Sequence, residues 1–198
     1  MPPDLDHRLP DCVALRAAVA ARDTPRASAS NAPVLPDILR LGLKLVFCGT
    51  AASRASALAR AYYAHPGNAF WRALAEVGLT PRRLAPAEFR RLDDYDIGLT
   101  DLGKHVFGTD AQLPAGAFDA TGLRKRILAC QPRWLAFTSK NGAQAFHGQR
   151  VEFGPQSWRV GNTRVFVLPS PSGQARRSWD IGRWRELARC VNDVAAGT

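Results

Sequence analysis

Lysine is scarce in this chain. Lys44, Lys104, Lys125 and Lys140 are the only four, so arginine makes up nearly all of the 27 basic side chains. These outnumber 17 acidic ones and give a net charge of +10. An arginine-rich cationic surface favours polyanions, nucleic acid first among them. The competing explanation is a general arginine bias spread evenly over the surface. Cysteine is equally thin: Cys12, Cys48, Cys130 and Cys190 stand far apart, with no Cys-x-x-Cys pair. That spacing excludes a zinc ribbon and supplies no clustered ligand set for an iron–sulfur centre. No metal and no cofactor is expected. No apolar run approaches the roughly 20 residues of a membrane span. Asp4, Asp6, His7 and Arg8 make the start of the chain a poor signal peptide. A cytoplasmic protein with free thiols and no membrane partner is the expectation.

Familiar motifs are missing as well. No Gly-x-Gly-x-x-Gly follows the first apolar run, which argues against a dinucleotide fold. There is no phosphate-binding Gly-Lys-Ser/Thr loop and no His-Glu-x-x-His. Ser172 lacks the Gly-x-Ser-x-Gly frame of a hydrolase elbow.

What is present fits one domain with an extra arm, since 198 residues with 46% hydrophobic content can bury a full core. Residues 1–35 form the arm. They comprise a loose start, a helix over Asp11–Arg22 capped by Asp11, and a linker from Thr24 to Pro36 with three prolines. Residues 36–198 form the compact domain. Its core strands are expected at Lys44–Gly49, Asp96–Leu102, Trp134–Thr138 and Arg164–Leu168. The first is a continuous apolar run of the kind buried on both faces of a parallel sheet. Helical patterns fall at Asn68–Val77, Pro86–Leu92, Thr121–Cys130, Ser139–Phe146 and Asp180–Val194, while Gly103–Phe118 reads as irregular. Strands alternating with helices predict a three-layer α/β/α domain around a mainly parallel four-stranded sheet. Ligands bind such sheets beyond the carboxyl ends of the strands. Three unusual segments sit there: Thr50–Ser53, Asp101 and Ser170–Arg176.

The stretch Leu45–Trp71 organises the domain. A strand ending in Gly49 leads to small residues at Thr50–Ser53, and polar and aromatic residues return at Tyr62-Tyr63-Ala64-His65-Pro66-Gly67-Asn68-Ala69-Phe70-Trp71. Together with Pro36-Asp37-Ile38-Leu39 and the late Pro171-Ser172-Gly173, this pattern resembles the uracil-DNA glycosylase superfamily. It lies nearest the mismatch-specific uracil/thymine branch, and Tyr62–Pro66 also looks like the deoxyinosine (hypoxanthine) branch. The order and spacing agree over residues 36 to about 194. Two positions depart from the pattern: Ala51 stands where the mismatch branch keeps a water-positioning asparagine, and Ser170 stands where asparagine is usual.

The resemblance implies a DNA-repair enzyme that flips a base out of DNA and cleaves its glycosidic bond. Its chemistry needs a carboxylate to stabilise the cationic sugar or activate water, and donors to stabilise the departing base. Asp101, at the end of the second strand, is the candidate carboxylate; capping a loop or pairing with an arginine is its equal alternative. Asn68 either hydrogen-bonds the base edge and water, like its counterpart in the inosine branch, or caps a helix. Ser53 is a smaller candidate for holding water or phosphate. Tyr63 takes the place of an aromatic that stacks on the flipped base. His65 donates to a phosphate or base, or orders its loop. The backbone at Thr50 and Ala51 is a candidate reader of uracil oxygens.

DNA contacts are expected from Lys140 and from Ser170, Ser172, Gly173, Gln174, Arg176 and Arg177, where a Ser-Gly turn offers backbone N–H groups to phosphate. Gln174-Ala175 is a weak wedge, so single-stranded DNA is an expected substrate beside duplex. Lys140 reads as a helix cap or phosphate contact rather than a Schiff-base former, which implies a monofunctional enzyme; a monomer is expected. Two alternatives stand beside it. One is a non-catalytic or slow-turnover binder of uracil-containing or abasic DNA. The other is a Ser/His/Asp hydrolase using Ser53 or Ser172 with His65 and Asp101.

Overall fold

The computed structural model describes residues 32–193, with the Arg176 side chain left out. The expected Asp11–Arg22 helix and Cys12 lie outside the described residues. Five strands form one sheet: β1 (Leu45–Ala52), β2 (Ile97–Phe107), β3 (Trp134–Phe137), β4 (Gly154–Val160) and β5 (Thr163–Val167). Their spatial order is β2-β1-β3-β5-β4, with every pairing parallel except the antiparallel β4–β5 edge. Among the described residues five helices accompany them: α1 (Arg54–Ala59), α2 (Phe70–Glu76), α3 (Ala120–Cys130), α4 (Lys140–His147) and α5 (Ile181–Asn192).

Side chains alternate across a strand, so β1 feeds two separate cores. Leu45 and Phe47 point into one layer with Phe70, Trp71 and Leu74 of α2 and Trp184, Leu187 and Val191 of α5. Val46 and Cys48 point into the other, against Leu123 and Ile127 of α3 and Phe146 of α4. The Phe47 ring lies 5.7 Å from Trp184, stacked, and 5.2 Å from Phe70, edge-on. Each such fully buried side chain contributes about 1.5–3 kcal/mol of hydrophobic stabilisation. The three-layer α/β architecture expected from the sequence is therefore the observed one.

Four details differ from expectation. The sheet has five strands, because Gly154–Val160 pairs antiparallel with β5 through a turn at Gly161-Asn162, with Gly161 at φ +60°. Its half-exposed, polar Pro-Gln-Ser-Trp-Arg run hides the strand from a search for apolar runs. Strand β2 continues through Phe107 into the stretch read as irregular. It is held there by pairing of Gly103 with Ala51 and by Val34 N donating to Lys104 O at 2.7 Å. Thr50–Ala52, read as loop, completes β1, and the helix α1 follows at once with Ser53 as its N-cap. Pro86–Tyr95 coils as a 3-10 segment that opens at Pro86.

The segment carrying Pro36–Leu39 runs along the outer edge of β2. Ile38 and Leu99 exchange backbone hydrogen bonds of 2.9 and 3.1 Å, an antiparallel bridge that covers an otherwise open sheet edge. A Cβ at Gly98 would stand 2.4 Å from the Ile38 carbonyl oxygen, so this approach requires glycine.

Candidate active site

Strands β1, β2, β3 and β5 run in one direction, and a cleft of about 780 Å³ opens beyond their carboxyl ends. Pairing between β1 and β3 stops at Cys48, where Thr138 N donates to the Cys48 carbonyl at 3.0 Å. From Gly49 to Ala52 the strand is paired only on its β2 side, and this stretch lines the cleft.

Asp101 lies on the floor. It pairs in register with Gly49, and its carboxylate occupies the space a side chain there would fill: a Cβ on Gly49 would be 2.4 Å from Asp101 Oδ1 and 3.5 Å from the Tyr63 hydroxyl. The residue is only 4% exposed. Among the described residues no hydrogen bond reaches its carboxylate; the Arg126 guanidinium donates instead to the Asp101 backbone carbonyl. Burial therefore raises its pKa from 3.8 to about 7, with Lys104 pulling down, Asp37 pushing up and Arg126 pulling down.

Those neighbours form a buried ionic cluster. Lys104 Nζ donates to Asp37 Oδ1 at 2.6 Å, to the Leu35 carbonyl at 2.7 Å and to the Tyr62 hydroxyl at 3.3 Å. Thr100 Oγ1 donates to the same Asp37 oxygen at 2.8 Å, and Arg126 Nε lies 3.5 Å from Asp37 Oδ2. All three donor capacities of the ammonium are used, as a buried lysine requires. Sequence reading assigned no role to Asp37, Lys104 or Arg126. The available signal was a lysine two residues past the expected strand, in an otherwise arginine-using chain.

The aromatic wall comes from the turn between α1 and α2. Ser53 accepts from Ser56 N at 3.1 Å and donates to Ser56 Oγ at 3.0 Å, and Ala64 N donates to Ser56 Oγ at 3.2 Å. This anchors the Tyr62-Tyr63 turn, with Tyr63 held at φ +52°, an uncommon conformation for a bulky side chain. The Tyr63 ring stacks on Phe70 at 3.8 Å with planes 14° apart. Its hydroxyl lies 3.4 Å from Thr138 Oγ1, which in turn donates to the Cys48 carbonyl, so the tyrosine is the donor of that pair. Burial and the charge of Asp101 raise the phenol pKa, so it stays neutral.

The His65–Asn68 turn has a simple local logic. Asn68 N donates to the His65 carbonyl at 2.9 Å, closing a β-turn with Pro66 and Gly67 at its centre. His65 Nδ1 accepts from Gly67 N at 3.0 Å, so the imidazole orders its own loop. Asn68 Oδ1 accepts from Phe70 N at 2.9 Å, an Asx turn that leads into the helix, whose N-cap is Ala69 rather than Asn68. This leaves its amide N–H groups without a partner among the described residues. The late loop meets this turn directly: Ala69 N donates to the Pro171 carbonyl at 2.8 Å, and a Cβ on Gly173 would be 3.1 Å from the Gly67 carbonyl. Ser170 and Ser172 hydroxyls accept from Ser172 N and Gln174 N, at 3.3 and 3.4 Å, stiffening the loop.

Of the expected residues, Thr50, Ala51, Ser53, Tyr63, His65, Asn68, Asp101, Ser170, Ser172, Gly173 and Gln174 all line this cleft. Lys140 and Arg177 do not; Lys140 Nζ pairs with Glu152 at 2.6 Å, and Arg177 is exposed. Asp110 was not foreseen. It stands at the rim, accepting from Thr50 Oγ1 at 2.6 Å and Asn141 Nδ2 at 2.8 Å. No Ser–His hydrogen bond forms among the described residues, and Ser53 is committed to its cap, which removes the geometric basis for a serine hydrolase. No three acidic, histidine or cysteine side chains converge among the described residues as a metal site would need.

The family model of the uracil DNA glycosylase superfamily matches residues 36–194. The chain belongs to the uracil DNA glycosylase superfamily. Among solved structures it is similar to the solution structure of a candidate uracil DNA glycosylase from Methanosarcina acetivorans, with 22% identity and a TM-score of 0.58. That match covers 79% of this chain and 96% of the other, and it supports the fold. The cleft at the carboxyl ends of the strands, with aromatic and carboxylate groups facing one space, is the candidate site.

Proposed function

We propose that this protein is a monofunctional DNA glycosylase. It extrudes uracil, and other deaminated bases such as hypoxanthine or xanthine, and hydrolyses the glycosidic bond to leave an abasic site. The observation that carries the reading is the buried Asp101 carboxylate, free of hydrogen bonds among the described residues, on the floor of a cleft walled by Tyr63.

A base taken out of the stack costs a few kcal/mol of stacking and pairing. Stacking on an aromatic ring returns about 1–3 kcal/mol of that. Tyr63, braced from behind by Phe70, is placed to supply it. As the C1′–N bond lengthens, its electron pair leaves with the base and positive charge gathers on the sugar. Ionised Asp101 stabilises that charge and takes a proton from the attacking water as the new C1′–O bond forms. The free amide N–H groups of Asn68 offer donors to the negative charge developing on the base. The proton then passes from Asp101 to base or solvent, which restores the site.

A second reading is favoured by Ala51 and Ser170, which stand where relatives keep asparagine: a binder of damaged DNA that turns over slowly or not at all. One experiment separates the two. The protein is incubated with an oligonucleotide carrying a single uracil, treated with alkali and run on a denaturing gel. Strand scission that vanishes in Asp101→Asn and falls in Asn68→Ala supports the enzyme. A retained complex without scission supports the binder. Full activity in both variants would refute the assignment of these two side chains. Gln174 and Ala175 offer no bulky wedge, so uracil in single strands is cut as readily as in a U·G duplex; strict duplex preference would contradict this.

A further inference from the structure

Across the seam where Gly67 meets Gly173 lies a second concavity of about 410 Å³. Arg72 of α2 and Arg83 line it, with Trp179 and the backbone of Pro171–Gly173. Several arginines of the fold are matched to carboxylates: Arg40 to Asp93 and Asp96, Arg82 to Glu88, Arg183 to Glu186, Arg185 to Glu76. Arg72 and Arg83 have no such partner among the described residues, although Arg82, the neighbour of Arg83, has one. The backbone N–H of Gly173 is also without an acceptor there. Two unneutralised guanidinium groups facing one concave, largely polar wall make a site for an anion with several acceptor oxygens.

The two cavities share a wall formed by Gly67, Asn68, Pro171, Ser172 and Gly173. A chain that leaves the first cleft across that wall enters the second cavity. Accordingly we propose that Arg72 and Arg83 bind a backbone phosphate of the DNA strand next to the nucleotide whose base occupies the first cleft. The inference rests on the glycosylase reading above. It assigns the second cavity a positioning job: fixing the strand so that the extruded nucleotide enters at one register.

The test measures the affinity of the full chain for a uracil-containing oligonucleotide duplex at salt concentrations from 50 to 200 mM. It compares wild type with Arg72→Gln/Arg83→Gln, with Arg72→Lys/Arg83→Lys, and with the control Arg159→Gln. Arg159 pairs with Arg164 at the opposite end of the sheet, so its loss changes charge without touching the wall. One neutralised phosphate contributes a log–log salt slope of about 0.9, so wild-type affinity should fall about three- to fourfold more than that of the glutamine variant over this range. The lysine variant should recover most of the slope, because a point charge still binds phosphate, and Arg159→Gln should leave it near wild type. Cleavage at saturating DNA should change little, while the concentration needed for half-maximal rate rises.

A slope in Arg72→Gln/Arg83→Gln equal to that of Arg159→Gln would overturn the phosphate site while leaving the glycosylase reading intact. Failure of the wild type itself to bind or cut uracil-containing DNA would overturn both. Competition by inorganic phosphate alone, with no difference between variants on DNA, would show a site for free anion rather than a strand, and would also refute the proposal.

Discussion

Asp101→Asn is the substitution whose outcome the structure constrains most tightly. The wild-type carboxyl is held at about 7 against an ordinary 3.8. A gap of about three units corresponds to an upper limit of about 4 kcal/mol, since one unit is 1.36 kcal/mol. The sign follows from proton linkage. Below about pH 4 the group is neutral in both folded and unfolded chains and costs nothing. As pH rises from about 4 to 7 the unfolded chain releases the proton first, so the folded state loses relative stability. Above about 7 the full cost of the buried charge is present. Asparagine has nearly the same shape and carries no charge to bury. The variant should therefore match the wild type near pH 4 and exceed it by an amount on the order of a few kcal/mol at pH 8.

Urea unfolding followed at pH 4.5, 6, 7 and 8 reads this directly as a growing gap in midpoint at unchanged slope. Excision assayed on the same preparations should move oppositely: wild-type rate rises with pH through about 7 as the carboxylate ionises, and the variant is inactive throughout. Gain of stability with loss of activity marks a group kept for chemistry at a cost to the fold. A variant that is less stable than wild type at pH 8, or a difference that does not change with pH, would refute the reasoning. Asp101 would then be a structural partner of the Lys104 cluster.

Lys104→Met removes the ammonium that donates to Asp37, Leu35 and Tyr62 and leaves Asp37 facing only Thr100 and Arg126. A loss of about 3 kcal/mol or more in unfolding free energy is expected, and because Lys104 pulls the Asp101 pKa down, the pH midpoint of excision should rise. Gly49→Ala sets a methyl 2.4 Å from Asp101 Oδ1, a contact relieved only by displacing the carboxylate; a loss of about 1–3 kcal/mol and a collapse of excision should appear together in unfolding and gel assays. Tyr63→Ala removes the ring stacked on Phe70, and affinity for uracil-containing single strands should drop by about 1–3 kcal/mol, measured by fluorescence anisotropy, with a smaller change for undamaged DNA.

The layers of this fold were legible because burial writes itself into sequence. Leu45–Cys48, Trp134–Phe137 and Val165–Val167 are apolar runs, and Trp184, Leu187 and Val191 keep a helical period. The antiparallel edge β4 was not, because half its residues face solvent and its signal is the Gly161-Asn162 turn rather than hydrophobicity. Asp101 could be placed at the end of a strand, yet its isolation from donors could not be read, since that depends on where Lys104 spends its protons. Asn68 shows the same limit. Its turn-forming bond to Phe70 N and its free amide coexist, and only three-dimensional placement reveals that one end of the side chain is used and the other is not. The ionic cluster was invisible for a topological reason: Asp37 reaches Lys104 and Thr100 only because an extended segment folds back along the edge of β2.

The register between β1 and β2 explains how the floor of this cleft comes to carry a carboxylate. Ala51 pairs with Gly103, and Gly49 with Asp101. Neighbouring strands lie about 4.8 Å apart, and two residues span about 7 Å along a strand. A carboxylate at position 101 therefore lies beside β1 at Gly49, two residues before Ala51, and enters the cleft floor from the β2 side. It can do so only if β1 stays small where the two strands face each other, and the 2.4 Å approach at Gly49 shows how little room remains. The small side chains of β1 and the buried acid of β2 are thus one arrangement. At position 101, level with Gly49, the carboxylate is almost fully buried, and this burial is what lifts its proton affinity toward neutrality.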